Sequence, residues 1–403
     1  MIIKDKIYKT LSIFLSIIVA LYLLEIFFLV TDIDKKNFNS KFFKQYNSIK
    51  KNIEYDDRNL FEFYSDYKKK NKEVVLAISP LGIDPLFTSA SGKKIYPLSN
   101  ISNKENILCN ENGYYSKFLS DNYGFNNPFV WQKEIEYEYI LLGDSYVEGY
   151  CVDEKNNIAG TLKKFLNKES IINLGHGGNG PLKNYATLKE YSNLIKTKKI
   201  LYFYTEANDL NDLEVELKNP VLKKYLEDEM YTQKLSGLHE EIDKNLIEKV
   251  EKTKIKYLNN ISKQKNNFIK HIKFHRVIRF KNKISRQLKK PNKKKTKNEL
   301  IKNEFKNILN LIKEFALKKN VELYFVYIPT YRGYKENIVN INTDHYISIL
   351  KLVNSLNIPI IDLREKLFDK NYDLLSLISL RTFGHYNKKG YHLISKIIFK
   401  ETN

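Results

Sequence analysis

Tyr139-Ile140-Leu141-Leu142-Gly143-Asp144-Ser145 decides how this 403-residue chain is read. Residues 139–142 are an apolar run that closes a candidate strand at 137–142 and empties into Gly-Asp-Ser. Far downstream, His385-Tyr386-Asn387-Lys388-Lys389-Gly390 opens a final amphipathic segment. A strand that delivers a serine to the open end of a sheet, with a distant histidine able to fold back on it, is the layout of nucleophilic acyl chemistry. A serine hydroxyl does not ionise at neutral pH, so an adjacent base must take its proton. Gly-Asp-Ser by itself is also an ordinary turn, and the flanking segments have to decide between the two.

Working outward, the pattern from residue 136 onward alternates short apolar runs with helical periodicity. Strands are expected at 137–142, 170–174, 199–204, 321–328 and 358–363. Helices are expected near 155–168, 181–196, 299–318, 342–356 and 388–401. Apolar strands alternating with helices predict an α/β fold, a three-layer sandwich with a five-stranded, mostly parallel sheet covered on both faces. Sites in such sheets gather at the carboxyl ends of the strands. The second strand ends in Asn173-Leu174-Gly175-His176-Gly177-Gly178-Asn179-Gly180, and the third in Tyr204-Thr205-Glu206-Ala207-Asn208-Asp209.

Upstream, residues 10–30 are almost wholly apolar, with Glu25 the one charge, and Lys4, Lys6 and Lys9 precede them. The run approaches the length that spans a bilayer, and no small-residue cleavage site follows it. The expectation is a single-pass membrane protein: residues 1–9 cytoplasmic, 10–30 a transmembrane anchor, and the bulk of the chain periplasmic or extracellular. Residues 31–135 read as a connector and N-terminal extension rich in turn signals. Residues 136–403 read as the chemical domain, interrupted by a helical insertion at 210–298. The insertion interleaves Phe268, Ile269, Ile272, Phe274, Val277, Ile278 and Phe280 with basic residues and ends in the lysine-rich stretch 289–295. Such a segment either lies on an anionic membrane surface or packs on its own domain with lysines outward.

The net charge of +21 invites a nucleic-acid partner. Nearly all of the basic residues are lysines, whereas bidentate reading of phosphates and bases uses arginine, so no nucleic-acid partner is expected. The two cysteines, Cys109 and Cys151, flank the motifs. In an oxidising compartment they would close into a disulfide; two unrelated buried thiols are the alternative. Two thiols with no nearby histidine pair lack the ligand count of a zinc site, and no metal or other cofactor is expected.

The four blocks, in this order and at these strand ends, resemble the SGNH/GDSL hydrolase family. The resemblance covers roughly residues 136–210 and 320–400 and implies a flavodoxin-like sandwich. It implies Ser145 as nucleophile and His385 as general base. The Ser145 N–H, a backbone N–H at Gly178 (or Gly175) and the Asn208 amide would form the oxyanion hole. His176, within the glycine block, and Arg332, following the fourth strand, are candidate substrate contacts. Two positions depart from the family pattern: Thr382 stands where an Asp would orient the histidine, and Glu206 where a Gly would open the third block. A backbone carbonyl, Asp362 or Asp373 is left to orient His385. The implied activity is a serine esterase, or a deacylase or O-acyltransferase, acting on acyl groups of a cell-envelope glycan or lipid. The alternative is a catalytically degenerate module that keeps the fold for binding or scaffolding at the membrane surface.

Overall fold

Short length and richness in isoleucine, valine, tyrosine and phenylalanine explain why these apolar runs form a central sheet rather than helices. In the computed structural model, residues 2–31, 48–50, 52–168, 170–265, 274–288, 294–329, 343–370, 373–381 and 384–403 are described. The strands are β1 (Glu136–Leu142), β2 (Ile171–Asn173), β3 (Lys196–Thr205), β4 (Glu322–Ile328) and β5 (Ile360–Asp362). All pair in parallel, in the order β5-β4-β3-β1-β2. This 2-1-3-4-5 order is that of flavodoxin-like sheets, whose strand sequence reverses beside the first strand. The predicted strands and their parallel sense are those observed.

The register divides the core in two. Tyr139 and Leu141 of β1 share a face with Leu201, Phe203, Val326 and Ile328. There they meet α2 (Ile158–Leu166) through Ile158 and Leu162, and α6 (Lys388–Thr402) through Tyr391, Ile394 and Ile398. The opposite face carries Tyr202, Tyr204 and Phe325, which pack against Phe305 of α4 (Lys294–Lys318). The Tyr204 hydroxyl lies 2.9 Å from His345 Nε2 of α5 (Thr343–Asn354). A sheet sandwiched between helices buries both faces, which is why the inner stretches of its long strands, residues 139–142 of β1, 200–204 of β3 and 323–328 of β4, are apolar at successive positions. Between β1 and α2 comes the short α1 (Ser145–Glu148); α3 (Pro181–Tyr191) follows β2.

The N-terminal extension does not join this sheet. Its helix Leu60–Lys70 begins with a full capping box, Asn59 and Glu62 each satisfying the other's backbone N–H. A small sheet (Val75–Leu76, Glu105–Ile107, Lys117–Leu119) and a two-stranded ribbon (Phe87–Thr88, Lys94–Ile95) follow.

The chain divides into two compact units, Lys44–Thr253 with Lys297–Asn403, and Met1–Phe43 with Lys254–Thr296. The second therefore takes only residues 254–296 of the expected 210–298 insertion. Within it, the helix Ile2–Thr31 contains the one described segment long and apolar enough to cross a membrane, Tyr8–Phe28. Glu25, the lone charge of that run, accepts hydrogen bonds from the N–H groups of Arg276 and Val277, both at 3.1 Å. These are first-turn donors of the helix His275–Leu288, where orphan N–H groups and the helix dipole favour a carboxylate. Phe274 and Phe280 pack on Tyr22 and Phe28. Phe268, Ile269 and Ile272 lie outside the described residues.

Candidate active site

β1 ends at Leu142, and Gly143 lets the chain turn hard against the sheet. A Cβ there would sit 2.4 Å from the Val147 side chain. Asp144 caps α1, its carboxylate accepting the Tyr146 N–H at 3.0 Å. Ser145 is thus the first residue of a helix at the carboxyl end of the strand beside which the order reverses, the position where open α/β sheets place their ligands. Its N–H is one of the donors that the first turn leaves without a helical acceptor.

His385 arrives just before α6, at 2.8 Å from Nε2 to the Ser145 Oγ. The imidazole is flanked by Tyr146 and Tyr150, with ring centroids 4.8 and 4.7 Å away. Its other nitrogen, Nδ1, lies 3.2 Å from a carboxylate oxygen of Glu111, and the same oxygen accepts the His385 backbone N–H at 2.7 Å. Glu111 belongs to the N-terminal extension. No local signal marked it, because it is 274 residues from His385 and only folding brings the two together.

The carboxylates considered from sequence stand elsewhere. Asp373 is paired with Arg381, and Asp362 accepts the Arg364 N–H and the Tyr346 hydroxyl. Thr382 and Arg332 lie outside the described residues. Cys109 and Cys151 form a disulfide with Cα atoms 5.0 Å apart. Cys151 lies close to Glu111 and His385, but as half of a disulfide it has no thiolate to offer a metal ion.

The glycine block packs on the same helix. Gly175 lies so close to α1 that a Cβ would come within 2.5 Å of the Glu148 N. Gly178 has a φ of +78° and open space on its Cβ side, while its carbonyl accepts from Lys183 Nζ at 2.7 Å. The Gly177 N–H is already taken by Glu148 at 2.6 Å. Asn208 reaches β1's end as well, but its amide donates to Asp144 at 3.1 Å and to Asp212 at 2.7 Å. An oxyanion contact from Asn208 therefore requires it to release one carboxylate.

Burial governs the electrostatics. Glu148, fully buried, holds Asn100 Nδ2 at 2.8 Å and the Ser79 hydroxyl at 3.1 Å besides Gly177, and its pKa is pushed up to about 7 by desolvation. Desolvation also raises Asp144, against hydrogen bonds from Tyr146 and Asn208 that pull the other way. His176 packs beside Asn100, Nδ1 to Nδ2 at 3.2 Å, and burial lowers it to about 3, so it stays neutral. It lines a groove of about 410 Å³ with Gly178, Lys183, Asp212, Tyr96 and Leu222.

No family model and no curated protein matches the chain. Solved structures to which it is similar include a lipase/acylhydrolase from Enterococcus faecalis, 13% identical, covering 66% of this chain and 94% of that one, with a TM-score of 0.36. A member of the lipolytic protein G-D-S-L family from Veillonella parvula is 13% identical, covering 66% and 97%, with a TM-score of 0.33. The psychrotrophic esterase EstA from a Pseudoalteromonas species is 12% identical, covering 66% and 96%, with a TM-score of 0.32. The flavodoxin-like α/β sandwich is defined by this chain's own strand order and register.

Proposed function

We propose that the chain is a serine ester hydrolase or acyltransferase of the SGNH/GDSL type, working through an acyl-serine intermediate. The observation that supports this most is the 2.8 Å contact between Ser145 Oγ and His385 Nε2 at the carboxyl edge of β1. In this reading Ser145 attacks an ester carbonyl carbon while His385 Nε2 takes the hydroxyl proton. The tetrahedral oxyanion is met by the N–H groups of Ser145 and Gly178 and by the Asn208 amide, each such donor contributing on the order of 3 kcal/mol. Collapse expels the alcohol, which leaves with the proton from His385. Water, or the hydroxyl of an acceptor, then attacks the acyl-serine while His385 takes its proton, and Ser145 Oγ leaves the acyl carbon and recovers that proton from His385.

The groove beside Gly178 joins apolar Ile78, Ile83 and Leu222 to Lys183, Asp212, Glu216 and Asn219. Mixed lining of this kind suits an acyl chain on a polyhydroxylated carrier, in keeping with an envelope glycan or lipid as substrate. The apolar helix at the N-terminus and the disulfide support anchorage with the catalytic unit in an oxidising, extracytoplasmic compartment.

The test is fluorophosphonate labelling of the full-length protein in detergent, comparing wild type with Ser145→Ala and His385→Ala. Labelling lost in both variants supports an activated serine. A folded wild type that takes no label sinks the reading and leaves the fold as a binding module.

A further inference from the structure

The block before His385 supplies no carboxylate of its own: position 382 is Thr, Asp373 is held by Arg381, and Asp362 by Arg364 and Tyr346. A serine–histidine pair works best when a third group fixes the imidazole tautomer and offsets the charge of the imidazolium. On the basis of the activity proposed above, we infer that Glu111 is that positioning residue, delivered to His385 from the N-terminal extension and held there by the Cys109–Cys151 disulfide.

Three kinds of contact carry this: the bonds of Glu111 to His385, the close approach at Gly384, and the ties that hold the Glu111 turn. One Glu111 oxygen receives both the backbone N–H of His385 at 2.7 Å and faces Nδ1 at 3.2 Å, so backbone and ring are oriented together. An ionised carboxylate only accepts; Nδ1 therefore carries the proton, and Nε2 turns its lone pair to the Ser145 hydroxyl. Gly384 makes room: at φ +136°, a Cβ there would meet the Glu111 oxygen at 2.2 Å and the carboxyl carbon at 2.5 Å. Finally, the turn that bears Glu111 is tied at both flanks. Cys109 is bonded to Cys151, and Asn112 Nδ2 donates to the Cys151 carbonyl at 2.8 Å. On the other side Asn110 donates to the Asp56 carbonyl at 2.8 Å and accepts the Gly113 N–H at 3.0 Å. Cys151 closes the turn directly after α1, so the disulfide fastens the carboxylate's loop to the nucleophile's own segment. With side chains 17–18% exposed, Glu111 and His385 sit where water screens the pair only in part.

The consequence is that the catalytic unit is not self-sufficient within residues 136–403. Its histidine depends on a loop from outside the sandwich, and that dependence explains why a chain with Thr382 keeps the other site residues.

The experiment uses full-length protein in detergent with Glu111→Gln, Glu111→Asp, and the double variant Cys109→Ser/Cys151→Ser, each checked for folding by circular dichroism. The fluorophosphonate labelling rate is followed from pH 5 to 9, and His385 is titrated by imidazole ¹⁵N NMR. Glu111→Gln is expected to slow labelling on the order of 10²–10⁴-fold. It should also shift the acid limb of the rate profile to lower pH, because removing a nearby anion makes the imidazolium less stable. Glu111→Asp should regain part of the rate, and the double cysteine variant should lose about tenfold or more while staying folded. Labelling that needs Ser145 but is unchanged in rate and pH profile by Glu111→Gln overturns this inference and leaves the esterase reading intact. If wild type takes no label, the esterase reading fails, and the NMR titration decides alone. His385 titrating about one pH unit or more lower in Glu111→Gln supports the pairing; an unmoved titration overturns it. Equal rates in wild type and the double cysteine variant overturn the tether.

Discussion

Asn208 occupies the third block as the sequence leads one to expect, yet its amide hydrogens are spent on Asp144 and Asp212. Those bonds give it two separable roles. If the amide swings from a carboxylate to the oxyanion, Asn208→Ala lowers kcat on a p-nitrophenyl ester about 10²–10³-fold. If it only braces the two acids, kcat stays within about threefold while the thermal midpoint falls, because buried carboxylates lose a donor. We expect the first outcome, read from kcat and midpoint together. His176 illustrates the opposite case. It lies in the glycine block and lines the groove, but burial keeps it neutral beside Asn100 and Glu148, so it shapes the pocket without bringing charge to it.

At the level of elements, α1 is the pivot. It carries Ser145 at its first position and Glu148 at its last, and the glycine block packs directly on its backbone. Gly175→Ala would push a methyl to 2.5 Å from the Glu148 N and 2.7 Å from the Val147 carbonyl carbon, atoms that cannot rotate away. We expect a loss of roughly 1–3 kcal/mol in stability, measured by chemical denaturation, together with slower Ser145 labelling as α1 is displaced. Gly178→Ala differs: its Cβ side is open, so the cost there comes only from the φ of +78°. An Ala at 175 as stable as wild type would count against the close packing described.

Across the whole molecule, buried acids set the response to pH. Glu148 and Asp121 are both pushed up to about 7 by burial, Asp121 while accepting from Asn127, Trp131, Tyr123 and Phe125. The folded state then holds protons that the unfolded chain has already lost above its ordinary carboxylate pKa of about 4.3. Their contribution is full below that value and disappears as pH rises through about 7. His176, lowered to about 3, acts in the reverse sense: its contribution is present above the ordinary histidine range and lost as pH falls. Comparing Glu148→Gln with wild type isolates the first effect. Wild type should lose thermal stability relative to the variant as pH rises from 5 to 8, and a difference constant over that range would mean that Glu148 is ionised throughout.

The sheet was legible in the sequence because its determinants are local. Strand-length apolar runs, continuous because both faces of the sheet are covered, mark the five strands, and the glycine and Asn-Asp blocks fall at their carboxyl ends whatever the tertiary detail. Ser145 and His385 were legible for the same reason, each standing at the boundary between a strand or loop and a helix. What surrounds them was decided only in three dimensions. Glu111 sits in a turn of the extension with nothing in its neighbours to mark it; in the fold the Cys109–Cys151 disulfide and the Asn112 amide on the Cys151 carbonyl link that turn to the segment after α1, and Glu111 lies against His385. The bonds of Asn208 to Asp144 and Asp212, and of Glu25 to the N-terminus of a helix some 250 residues away, are likewise long-range. Periodicity reports which face of an element is buried; it carries no information about which distant polar group a buried carboxylate or amide will find, and that pairing is fixed by the packing of the whole chain.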